Sequence, residues 1–429
     1  MTDFWRSERL TRITDPASTS PVVVEDGAGG GFAYHPTRFL ISNLALQRIG
    51  ALLVAPDFRN LGHEFGWLPE LGLHAFELLT GEALLDKLPV LEAEISGTLQ
   101  PGDDPAEAFV SVDHALFGAP KYHGDPASAP MPAAPWAVMP PITGAGAATA
   151  ALLDTGVDLS AEFLLAGAVR DADDVDQLRP VGAANQSLGS QAGHGTFILG
   201  LLQRMSGGDL RVDVGRVLSP DGVGYDSLVS KEIKELAAAA VPVGVVNMSI
   251  GGYTDNDRMP AALSAALGRL PATTVVVAAA GNGDDTCPAS DRPIWPGAGD
   301  GVVAVGSVVD VPGGLRRSVF SNFGPWVDVW TLGEDLLSTY ATGDFVVDPN
   351  DVRTFDGWAT WSGTSFAAGL VSAEIARRMK QGLTGADAWA TMKAGLPSAG
   401  DALVEADTGV TGLLFDPVSA GVGLDPRLR

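Results

Sequence analysis

From residue 150 onward the chain repeats one pattern: a short apolar run, a polar turn, then a segment with apolar residues at helical spacing. Residues 150–153, 212–218, 243–249, 274–280 and 302–308 are nearly unbroken apolar runs and predict strands. Residues 227–240 place Val229, Ile233, Leu236 and Ala240 on one face and predict an amphipathic helix, and 260–270 predict another. Two further segments, 197–202 and the stretch from Phe366, differ. There Phe366, Leu370 and Ala373 share one face and Ala368, Val371 and Ile375 another, so the helix is apolar nearly all round and belongs in the core. Arg377, Arg378 and Lys380 mark its C-terminus, the end of a helix dipole that favours cations. Apolar strands alternating with helices predict an α/β fold, a parallel sheet covered by helices on both faces.

Ahead of this region the pattern is weaker. Residues 1–35, with a glycine cluster at Gly27, Gly29, Gly30 and Gly31, predict an extended arm. Residues 36–118 carry strand patterns at 38–41, 73–78 and 109–114 and a short helix at 83–91 interrupted at Pro89, a small α+β unit. Residues 119–145 form a Pro-rich linker, 146–395 the main domain, and 396–429 a tail with no assigned function. The uncharged run 126–153 contains Pro130, Pro132, Pro135, Pro140 and Pro141, so it leads into a strand and is not a membrane span.

Composition narrows the possible partners. With 46% hydrophobic and 18% charged residues the chain can build a core, and its net charge of −25 repels nucleic acid and anionic lipid while attracting cationic peptides at low salt. The first ten residues hold Asp3, Arg6, Glu8 and Arg9 and no apolar core, which is not a secretory signal. Cys287 is the sole cysteine, so no internal disulfide forms; both features predict a cytoplasmic protein, and Cys287, close to Asn282 in sequence, reads either as a reactive thiol or as the commoner inert packing. His35, His63, His74, His114 and His123 fit no metal spacing and read as scattered surface or half-buried side chains. Asp171, Asp173, Asp174 and Asp176 lack the glycine and terminal Glu of a calcium loop and read as a solvated charge run. No metal or cofactor is expected, calcium being compatible with the chain but not indicated by it, and oligomeric state is not legible.

Four residues stand where chemistry would be done. Asp154 ends an apolar strand, the place where working groups gather in parallel sheets, although a turn-forming Asp is the ordinary explanation. His194 opens the buried helix at 197–202 and is the only histidine after position 123. Ser365 opens the other buried helix behind Gly363, where a cap is the common role. Asn282 lies between Gly281 and Gly283 after a strand, as an oxyanion donor would or as a plain turn would. Singly each has a bland explanation; together they compose a nucleophile, a base, its orienting carboxylate and an oxyanion donor.

These stretches resemble the subtilisin-like serine proteases, the subtilases. Asp154-Thr155-Gly156, His194-Gly195-Thr196 and Gly363-Thr364-Ser365 resemble the family's aspartate, histidine and serine motifs in its chain order, and Ala280-Gly281-Asn282 its oxyanion asparagine. The stretch 246–252 resembles the strand and glycine turn that line the family's substrate cleft, 320–324 and 327–329 resemble its later core, and 36–118 more weakly resembles its propeptide. Departures are Gly369 in place of a proline, Thr331-Leu332-Gly333 in place of an Ala-Pro-Gly turn, and Phe197 in place of a histidine. The resemblance implies a subtilisin-like fold and a serine endopeptidase acting on peptide or protein substrates, with maturation of one precursor as a narrower version. The alternative is a catalytically silent relative that binds peptides.

Overall fold

The computed structural model describes residues 22–24, 31–118, 129–135, 148–158, 188–208, 210–255, 257–283, 288–348, 350–403 and 410–417. The strands β1 (Val22–Val24) and β2 (Phe32–Ser42) pair antiparallel, so the described part of the expected arm is sheet. Ser42 caps α1 (Asn43–Ile49) by accepting from the Ala45 N–H. After β3 (Phe58–Asn60) and β4 (Leu73–Leu78), α2 (Leu84–Thr98) runs straight through Pro89, where an interruption was expected. A proline inside a helix costs about 3 kcal/mol. Leu84, Leu88, Leu91 and Ile95 are buried along one stripe, and each such side chain contributes about 1.5–3 kcal/mol, so the stripe wins. β5 (Val110–Phe117) completes this unit.

Within the expected bare linker lies a two-residue strand, β6 (Met131–Pro132). The alternating region then follows as β7 (Thr149–Asp154), α3 (His194–Met205), β8 (Arg211–Arg216), β9 (Val223–Tyr225), α4 (Asp226–Ala237), β10 (Val245–Met248), α5 (Ala261–Leu267) and β11 (Val275–Ala279). β12 (Val302–Val311), β13 (Gly314–Arg317) and β14 (Val329–Leu332) lead to a long ribbon, β15 (Leu336–Asp348) and β16 (Asp351–Trp361). Last come α6 (Thr364–Met379), α7 (Gly385–Ala394), α8 (Ala399–Ala402) and β17 (Leu413–Leu414).

The large sheet has the order β17-β14-β12-β11-β10-β7-β8, parallel throughout, with β13 antiparallel on β12. The tail is thus not separate from the main sheet: β17 pairs with β14. Phe197, Ile198, Leu370 and Ala373 of α3 and α6 join the core on one face, and Val229, Ile233 and Leu263 of α4 and α5 the core on the other. From β7 the chain passes to β8 on one side, then returns to β10 on the other. That reversal opens a crevice at the carboxyl ends of β7 and β10, where sites form in such sheets.

The amino-terminal sheet, in the order β3-β4-β2-β5, extends across onto β9, with Ala115 opposite Tyr225 and Phe117 opposite Val223. The junction is polar and buried. Asp113 accepts from the Ser227 N–H and hydroxyl at 3.0 and 2.7 Å and pairs with Arg38, whose guanidinium lies 4.9 Å from the Tyr225 ring centre. His35 meets that ring edge-on at 5.2 Å, and His114 bonds Asp255 at 3.1 Å. Both histidines are therefore buried contacts of this junction, where scattered surface or half-buried side chains were expected.

Acid is expected to loosen the junction. His35 Nδ1 accepts the Arg38 N–H at 3.0 Å, so the ring must be neutral there. Burial first, and the Arg38 charge second, lower its pKa from 6.5 to about 4, with the Asp113 carboxylate opposing them. A depressed histidine is a group the docked state holds unprotonated. Its contribution is complete above 6.5 and is lost as pH falls toward 4. Amide exchange across β2 should accelerate over that window. In His35→Asn, whose side-chain oxygen can accept the same N–H, the pH dependence should flatten; an unchanged profile would show that another group controls it.

Candidate active site

Asp154 is the last residue of β7, at the crevice, and is fully buried. Its Oδ1 accepts the Thr155 N–H at 2.8 Å and His194 Nδ1 at 2.7 Å. The two motifs lock together beyond that bond. Thr155 Oγ1 accepts the Gly195 N–H, and Thr196 Oγ1 accepts the Asp158 N–H. Gly193 sits at φ 80°, a left-handed turn into α3, and a Cβ on Gly195 would stand 2.1 Å from the Gly156 carbonyl oxygen. Only glycine at 195 lets the helix start come this close to the aspartate turn.

With Nδ1 donating to a carboxylate, the imidazole is fixed in the tautomer whose Nε2 carries the lone pair. That Nε2 is buried and has no hydrogen-bond partner among the described residues. The ring is held by Trp361, edge-on at 5.5 Å, and by Phe366 at 5.3 Å, the residue following Ser365.

Ser365 is the second residue of α6 and is 1% exposed. Its hydroxyl donates to the Ser249 carbonyl at 3.3 Å, so serine and imidazole are not hydrogen-bonded to each other. Such bonds are often unmade in the absence of substrate. The Ser249 hydroxyl stands 2.9 Å from both Asn247 Oδ1 and the Ser365 carbonyl and donates to one at a time. Asn247 Nδ2 also donates to Ser372 Oγ at 3.0 Å, which ties β10 to α6.

Asn282 follows β11, after Gly281 at φ 85°. Its Oδ1 accepts both the Thr364 N–H and the Thr364 hydroxyl at 2.9 Å, and Thr364 Oγ1 accepts the Gly281 N–H at 3.1 Å. A backbone N–H can only donate, so this end of the amide is the oxygen and the Nδ2 donor points away from Thr364. In the sequence Thr364 stands out only as a member of the Gly363-Thr364-Ser365 motif. It is the clamp that aims Asn282, and the signal was its place beside the candidate nucleophile. Ser249 was likewise missed, since a serine at a strand end is unremarkable in sequence.

The amino-terminal sheet reaches this crevice. Phe117 and Gly251 exchange both backbone bonds at 2.8 Å, and the Gly118 N–H donates to the Gly222 carbonyl at 2.9 Å. A peptide continuing past Gly118 in that antiparallel register runs toward Ser249 and thus toward Ser365. Among the described residues no group of three or more His, Cys, Asp or Glu side chains could hold a metal ion. No helix among them is long and apolar enough to cross a membrane. The acidic run 171–176, His123 and Cys287 lie outside the described residues.

Residues 146–410 match the sequence model of the Subtilase family. The chain is 29% identical over 242 residues to the thermophilic serine proteinase of Bacillus sp. (strain AK1), covering 54% of this chain and 52% of that one. It is 29% identical over 237 residues to an intracellular serine protease of Paenibacillus polymyxa, covering 53% and 64% respectively. A solved structure of a cold adapted subtilisin-like serine proteinase aligns with a TM-score of 0.47 at 26% identity, covering 64% of this chain and 89% of that one. The chain spans about half to two-thirds of the length of these curated relatives. Because the matched region takes in more than half of the chain, including both buried helices and the strands that carry the crevice, the chain belongs to the subtilase family.

Proposed function

We propose that this chain is a serine endopeptidase in which Ser365 is the nucleophile, His194 the general base and acid, and Asp154 the group that orients the imidazole. The observation that carries this reading is the buried 2.7 Å bond from His194 Nδ1 to Asp154, which leaves Nε2 without a partner beside the helix that presents Ser365. When a peptide enters, the Ser365 hydroxyl turns from the Ser249 carbonyl to Nε2. His194 takes the proton as Oγ bonds to the peptide carbon, and the carbonyl oxygen becomes an oxyanion held by Asn282 Nδ2 and the Ser365 N–H. His194 then protonates the leaving amine, and water repeats the sequence on the acyl-enzyme.

The substrate is a peptide or protein strand, and no metal or cofactor takes part in the proposed reaction. The amino-terminal unit, seated against Gly251, covers the acyl side of the cleft, which supports a restricted task such as maturing one precursor over general digestion. A cytoplasmic location is part of the proposal, supported by the single cysteine and by the relative named an intracellular protease. A fluorophosphonate probe tests the chemistry: it should label the wild-type chain and not Ser365→Ala. Failure to label the wild type, even after proteolytic removal of residues ahead of 129, would favour the silent peptide-binding alternative.

A further inference from the structure

The ribbon of β15 and β16 packs on the core as far as Phe345 and Phe355 and runs on to an exposed tip at Val346 and Val352. Its β15 side is committed: Ser338 Oγ donates to the Phe197 carbonyl, Thr339 Oγ1 to the Thr196 carbonyl, and the Leu188 N–H donates to the Asp344 carbonyl. Its β16 edge is taken by a stretch of this same chain. Met131 lies opposite Thr360 and Pro132 opposite Ala359, the Ala133 N–H donates to the Trp358 carbonyl at 3.2 Å, and Arg353 Nη1 donates to the Pro130 carbonyl at 3.0 Å.

This occupant is anchored at its start, where Ala129 and Pro130 are buried, and thinly held beyond it. Pro130 and Pro132 have no N–H to donate, and Met131 is 44% exposed. The edge itself is well made and well placed, because β16 continues through Ser362 and Gly363 to Thr364 and Ser365. At about 3.3 Å per residue, Thr360 lies within roughly 17 Å of the nucleophile. Polarity matches as well. β5 runs antiparallel to the Ser249–Gly252 segment and so toward Ser365, whereas β6 runs antiparallel to β16 and so away from it. A polypeptide that takes the place of β5 beside Gly251 and of β6 along β16 keeps one chain direction throughout.

We infer that the β16 edge at Trp358, Ala359 and Thr360, with Arg353 as a carbonyl donor, is a recognition strand for the leaving-group side of the substrate. It binds an extended polypeptide by main-chain pairing about four to seven residues beyond the scissile bond, and residues 130–133 occupy it until substrate displaces them. The enzyme therefore favours long, unfolded segments over short peptides. This inference rests on the proposed peptidase activity.

The test uses the full chain and quenched fluorescent peptides that share one acyl side and carry two, five or nine residues after the cleaved bond. Between two and nine residues kcat/KM should rise about tenfold or more, the scale of two or three modest hydrogen bonds. Backbone N-methylation at the fifth to seventh residues should abolish the gain, and Arg353→Ala should reduce it. The N-methylated peptides need no altered protein, so a misfolded variant leaves the test intact. Equal rates for all lengths, or indifference to N-methylation, would show that residues 130–133 are a permanent strap and overturn this inference alone. No cleavage at any length, together with no probe labelling even after proteolytic removal of residues ahead of 129, would remove the peptidase proposal and this one with it.

Discussion

His194→Ala should lower kcat on the order of a million-fold, a loss known for subtilisin, a relative of this chain, rather than derived from these distances. The physical reason is visible in the geometry. Among the described residues Nε2 of His194 is a buried, unpartnered nitrogen whose tautomer is set by Asp154. Without it the Ser365 hydroxyl keeps its proton and its bond to the Ser249 carbonyl. The imidazole also packs against Trp361 and Phe366, so alanine leaves a small cavity, and the variant should lose some stability while keeping the fold. Because the members of such a unit fail together, His194→Ala combined with Ser365→Ala should be no slower than either alone. Kinetics on the purified proteins, with thermal melts to establish folding, would check both parts. Substantial turnover by His194→Ala would mean that another group takes the proton.

Asn282→Ala should cost roughly 100- to 1,000-fold in kcat with little change in KM, again a scale taken from the subtilisin oxyanion donor. The split follows from the chemistry, since the donor serves an oxyanion that exists only after attack. What this structure adds is the second half of the device. Thr364 fixes Asn282 by two bonds to Oδ1, one from its N–H and one from its hydroxyl. Thr364→Val keeps the shape and the N–H bond but removes the hydroxyl that also accepts from Gly281. It should therefore lower kcat by less than Asn282→Ala does, in the same direction and with KM again nearly constant. Measured on the Asn282→Ala background, the valine should add little, because the group it aims is already gone. Full additivity would mean that Thr364 acts on something other than Asn282.

Legibility differed from element to element for physical reasons. The helices at His194 and Ser365 were plain because they are apolar nearly all round, a pattern that marks a helix buried in the core. β15 and β16 were invisible, since their exposed tip alternates without a continuous apolar face and each strand is stabilised by its partner. The break expected at Pro89 was a local preference overruled by a buried stripe that spans the whole helix. His35 and His114 looked incidental because their partners, Tyr225 and Asp255, lie far along the chain.

The chain alone determined the α/β alternation, the family motifs and the four candidate residues Asp154, His194, Ser365 and Asn282, because motif spacing and apolar periodicity are local properties. Only the tertiary structure decided what surrounds them. It turned Thr364 toward Asn282 and the Ser365 hydroxyl toward Ser249, threaded β5 between β9 and Gly251, and laid Met131 and Pro132 along β16. These are pairings between segments distant in sequence, chosen by register and by the need to satisfy backbone groups at strand edges, and no short window of residues encodes them.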